Sequence, residues 1–90
     1  MVIKYTIHVD PQNEDYLVIR TDKPLVCEEA REETAESIVH TFCNLERCAI
    51  HADVIAVYKS SLVSWDDILP ALERALHIIA GREIEEVPIF

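Results

Sequence analysis

The stretch Asp53–Leu76, DVIAVYKSSLVSWDDILPALERAL, decides the fold. Val54-Ile55-Ala56-Val57-Tyr58 is a short apolar run without proline, closed by Lys59 and the polar pair Ser60-Ser61, and it reads as a strand. Because it is apolar on both faces, an inner position in a sheet is expected. Ser64 then caps a helix, with Asp67 three residues on as a capping-box-like partner. Trp65, Ile68, Leu69, Leu72, Leu76 and Ile79 fall on one side of that helix. Pro70 removes a backbone donor and predicts an irregular or kinked start, and Gly81 supplies the stop. A strand followed by a helix with a single apolar stripe implies that the stripe lies on a sheet.

Working outward, Ile3, Tyr5, Ile7 and Val9 alternate with Lys4, Thr6 and His8, the period of a strand with one buried face. Asp10-Pro11-Gln12-Asn13 supplies turn chemistry, and Tyr16 to Arg20 resumes as a second, antiparallel strand. After another turn at Thr21-Asp22-Lys23-Pro24, Leu25-Val26-Cys27 reads as a brief third strand. The period then changes. Ala30, Thr34, Ala35, Ile38, Val39, Phe42 and Cys43 form one helical stripe, with Asn44 as its expected left-handed stop. Glu28, Glu29, Glu32, Glu33 and Glu36 crowd its first turns, where carboxylates favour the positive end of the helix dipole. Arg47 to His51 and Val54 to Lys59 form a hairpin turning at Ala52-Asp53.

The tail from Arg82 to Phe90 carries Ile84, Val87, Ile89 and Phe90 among acids; it either adds a strand or docks as a loose end. Ile89-Phe90 would also make a hook for a second copy. The expected architecture is α+β: a two-layer sandwich with a mainly antiparallel sheet of four to five strands and two helices on one face. The order is ββ(β)αββα, and residues 1–90 form one domain.

Seventeen acidic against eight basic residues give a net charge of −9. Such a surface repels nucleic-acid phosphates and anionic membranes, and it favours basic protein faces as partners. No apolar run reaches the roughly 18–20 residues of a membrane span, and Met1-Val2-Ile3-Lys4 opens directly into strand-like sequence. A cytoplasmic location is expected. Cys27, Cys43 and Cys48 are an odd set without a Cys-x-x-Cys pair and read as reduced thiols.

Residues 53–76 resemble the N-terminal domain of Nfu-type (NifU-like) iron–sulfur cluster scaffold proteins. The matching positions are Asp53, Ile55, Lys59, Trp65, Leu69 and Pro70. Upstream, Asp10-Pro11-Gln12-Asn13 is similar to the turn after that family's first strand. Phe42-Cys43-Asn44-Leu45-Glu46 is similar to the segment before its Gly-Val strand. Arg47 stands where the family carries a near-constant glycine, Val54 replaces an aromatic residue, and the hairpin before Asp53 is shorter. In two-module members the cluster sits on a Cys-x-x-Cys in a separate C-terminal module, and no Cys-x-x-Cys occurs in residues 1–90. The resemblance therefore implies an accessory, protein-binding domain beside iron–sulfur cluster assembly or delivery, without resident cofactor or catalysis.

Two residue sets compete for chemistry. His40, Cys43, Cys48 and His51 contain good ligand types for zinc or iron. Yet Cys48 and His51, three apart on a strand, point to opposite faces, and Cys43 lies on the apolar stripe. The metal site is accordingly the second choice. Glu29, Glu32, Glu33 and Glu36 are the candidate contacts for a basic protein partner, because a helical row of carboxylates cannot converge on calcium. Ser60, Ser61 and Ser64 have no neighbouring base and no nucleophile-elbow motif, so no catalytic residue is assigned.

Overall fold

A computed structural model describes residues 2–42, 44–81 and 83–88. The elements run β1 (Ile3–Asp10), β2 (Asn13–Thr21), a 3₁₀ turn (Glu28–Ala30), α1 (Arg31–Thr41), β3 (Leu45–His51), β4 (Val54–Lys59), α2 (Trp65–Ala80) and β5 (Ile84–Glu86). The strands form one sheet in the order β3-β4-β2-β1-β5, giving the expected α+β fold. Neighbours are antiparallel except β1 and β5, which are parallel. The tail thus takes the strand option: Ile84 pairs with Ile3 and Glu86 with Tyr5. Its Ile89-Phe90 end lies outside the described residues.

Strand alternation assigns the two faces. Ile3, Tyr5, Leu17, Ile19, Ile50, Ile55 and Val57 point to one side, where Ala35 and Ile38 of α1 and Ile68, Leu72 and Leu76 of α2 close a single core over them. Leu17, Val57, Leu72 and Leu76 have no exposed surface at all. Fully burying an aliphatic side chain contributes about 1.5–3 kcal/mol, so this layer contact supplies much of the fold's stability. As expected, β4 is an inner strand, flanked by β2 and β3.

The helix α2 starts with the Ser64 hydroxyl accepting the Asp66 amide at 3.2 Å and ends at Gly81 in the left-handed region, φ +66°. Pro70 sits exposed inside an unbroken helix, so the expected irregularity does not interrupt it. The helix α1 departs more from expectation. It ends at Thr41 because Phe42 turns extended (φ −111°, ψ 95°) and packs against the core, while its carbonyl accepts the Leu45 amide. Among the described residues only Ala52 has positive φ apart from Gly81, so Asn44 is not a left-handed stop.

Leu25-Val26-Cys27 forms no strand. The preceding β2 already has β1 and β4 on its two edges, leaving no partner for a third strand there. Val26 plugs the core as a single buried side chain instead, and Thr21 Oγ1 donates to the Lys23 carbonyl at 2.6 Å to hold the turn before it.

Candidate functional site

With both helices on one side, no described helix covers the other face of the sheet, although Thr6 on it is buried. Pairing places its side chains in rows. Arg47, Tyr58 and Tyr16 form one row, and Ala49, Ala56, Val18 and His8 form the next. A third row holds His51, Val54, Arg20 and Thr6. The Tyr16 and Tyr58 rings lie 4.5 Å apart at 30°, and the Arg47 guanidinium stands 5.2 Å over the Tyr58 ring. Tyr58 is therefore held between Arg47 and Tyr16, a rigid unit across three strands. Val18, Val54 and Ala56 are only partly buried, and Arg20, Arg47, His8 and His51 are exposed around them.

A β-bulge builds this face. Leu45 pairs with Lys59 and Arg47 with Tyr58, so Glu46 is an extra residue on β3. Two residues apart on a regular strand, Leu45 and Arg47 would share a face. The bulge shifts the phase, so Leu45 is buried in the core and Arg47 joins the open face. In a chain of net charge −9, three of its cations, Lys4, Arg20 and Arg47, gather there with two histidines. Lys4 is flanked by Glu85 and Asp22, whose carboxylate accepts its amide, whereas Arg20 and Arg47 make no ion pair among the described residues.

A second feature lies at the sheet edge. A groove of about 440 Å³ runs between α1 and β3, walled by Glu28, Glu32 and Glu36 and floored by Ala35, Cys48 and Ile50. Burial pushes the Cys48 thiol up to about 11, so it is an un-ionised, inert floor rather than a nucleophile. A third hollow, about 260 Å³, separates the two helices between Ile38, Phe42, Ala75, Ile78 and Ile79.

The candidate residues scatter over these features. Glu32 and Glu36 line the groove, whereas Glu29 and Glu33 are exposed elsewhere on the turn and helix. His40 is exposed on α1, Cys48 faces the core side of β3, His51 faces the open side, and Cys43 lies outside the described residues. No three metal-ligating side chains gather among the described residues. The open face itself went unrecognised in the sequence, although Tyr16, Val18 and Arg20 alternate with the buried Leu17 and Ile19. The double-sided apolarity of Val54–Tyr58 carried the same signal: one side of that strand is core, and the other is the open face.

No family model, curated protein or solved structure matches the chain. No described helix is long and apolar enough to cross a membrane.

Proposed function

We propose that this chain is a non-enzymatic protein-interaction domain whose principal contact surface is the open sheet face. The observation that carries the reading is the Arg47–Tyr58–Tyr16 stack beside an apolar strip of Val18, Ala49 and Ala56. Tyrosine and arginine are the residue types that dominate the energetics of protein interfaces, and a pre-stacked set loses little freedom on binding. An exposed apolar strip with a polar rim marks such a surface.

The cationic rim fits an acidic protein face. Nucleic acid fits less well, because the tyrosines are engaged with each other and with Arg47 and leave no free ring for a base to stack on. The resemblance of residues 53–76 to Nfu-type N-terminal domains supports the narrower form of the reading, a partner from iron–sulfur cluster assembly or delivery.

The test is affinity capture from native cell extract with the wild-type chain and with an Arg20→Glu/Arg47→Glu variant. Both positions are exposed, so the variant stays folded, with a melting temperature lowered slightly by loss of the Arg47–Tyr58 contact. The reading expects one or a few stoichiometric acidic proteins that the variant loses. Equal capture by both forms, or recovery of nucleic acid, contradicts it.

A further inference from the structure

We propose that the groove between α1 and the free edge of β3 receives an extended, lysine- or arginine-rich segment of a partner protein, added to the sheet as an outer strand. This surface adjoins the open face at Ala49 and His51, but strand addition here does not depend on the contact proposed there.

Three observations meet there. First, among the described residues β3 pairs only with β4, so alternate residues turn their backbone N–H and C=O groups outward with no described strand to receive them. Long edges are commonly protected by proline, lysine or a bulge. Here β3 has seven residues, no proline and no lysine, and its bulge lies at the Leu45 end, leaving Cys48–His51 regular. The opposite edge, β5, has three residues. Second, α1 runs beside this regular part and leaves a groove with an apolar floor. Strand addition uses such an arrangement: main-chain bonds hold the segment, and side-chain contacts along the groove select it.

Third, the wall has the right charge and period. Glu32 and Glu36 are one helical repeat of four residues apart, a rise of about 6 Å. Alternate side chains of an extended strand recur at about 6.7 Å. A cation at every second position of the incoming segment therefore meets successive carboxylates, and Glu28 extends the row. Arg31 also lines the groove, but its Nε donates to the Val26 carbonyl at 3.4 Å, and His51 stands at the strand's end. Carboxylates still outnumber cations. The same charge rejects a second copy. Antiparallel pairing of two β3 edges would bring the two rows of Glu28, Glu32 and Glu36 together, and like charges in register disfavour the dimer.

The experiment titrates the isotope-labelled full chain with a short peptide alternating lysine and valine, followed by amide signals and amide hydrogen exchange. The expected result is exchange protection centred on Cys48–His51, with the amide signals of that segment shifting most. Binding weakens about tenfold in a Glu32→Gln/Glu36→Gln variant, whose exposed positions keep the fold intact. Methylating the peptide nitrogens on its pairing edge abolishes binding, because strand addition needs those donors. Four results overturn the proposal: signals centred on Tyr16 and Tyr58, binding unaffected by N-methylation, equal binding of a glutamate–valine peptide, or no binding at millimolar peptide.

Discussion

The Lys59 ammonium lies 2.7 Å from the Asp15 carboxylate while only 7% of the lysine side chain remains exposed. It also donates to the Ser60 carbonyl at 3.3 Å and sits 5.7 Å over the Trp65 ring. The indole nitrogen in turn donates to the Glu14 carbonyl at 2.6 Å. The end of β4, the beginning of β2 and the first turn of α2 are thereby tied at one point, and that tie seats α2 on the sheet.

Breaking this tie from its two ends has unequal consequences. Asp15→Ala leaves a buried ammonium with only a carbonyl and a ring, at a cost of about 2–3 kcal/mol. Lys59→Met leaves a carboxylate that water reaches, since Asp15 is 35% exposed, and costs about 1 kcal/mol. The double variant matches Lys59→Met, because the ion that needed its partner is gone. Urea unfolding followed by fluorescence of Trp65, the single tryptophan, measures all three.

The β3–β4 turn stores removable strain. Ala52 is held at φ +43°, a region that costs an L side chain about 1–2 kcal/mol and that glycine adopts freely. Ala52→Gly raises stability by about 0.5–1 kcal/mol after glycine's greater unfolded-state entropy is deducted. Ala52→Val lowers stability. Thermal melts of the two variants resolve the opposite signs.

Stability falls at alkaline pH through two buried protons. Burial first, then the Glu73 and Glu86 carboxylates, raise the Tyr5 hydroxyl from 10.0 to about 12, and burial raises the Cys48 thiol from 9.0 to about 11. Between those values the unfolded chain has released the proton that the folded chain still holds. Each contribution is therefore complete below the unfolded value and is lost as pH rises through the folded one. Each group gives a slope of at most about 1.4 kcal/mol per pH unit. Tyr5→Phe removes the part between pH 10 and 12, so its denaturation midpoint falls less steeply there than that of the wild type.

The layers were legible in the sequence because periods of two and near four are set by burial on one side. Val54–Tyr58 and the Trp65–Ile79 stripe read correctly for that reason, as did the Ala52-Asp53 turn. The Leu25–Cys27 strand misread a local pattern whose outcome depends on whether a sheet edge is free, which is settled by β4 arriving beside β2. The end of α1 misread Asn44, because packing of Phe42 outweighs a helix stop two residues later. Arg47 was unreadable as a surface residue of the stack: only the bulge at Glu46 sends it there, and pairing register is a long-range property. The acidic helix was visible, but which of its carboxylates wall a groove depends on β3 lying alongside.

Salt separates the two proposed surfaces from the core. Contacts made by Arg20, Arg47, Glu32 and Glu36 are exposed and weaken as ionic strength rises, with a screening length of about 8 Å at physiological salt. Raising salt from 0.05 to 0.5 M (roughly a threefold shorter screening length) weakens partner binding while leaving the thermal midpoint nearly unchanged.

Site-specific photocrosslinking tests the central claim most directly, with the photoreactive side chain placed at His8 on the open face or at Arg74 on the outside of α2. In native extract the account predicts a discrete protein adduct at position 8, lost on Arg20→Glu/Arg47→Glu substitution, and none at position 74. Adducts at both positions in equal yield, or at position 74 alone, contradict it.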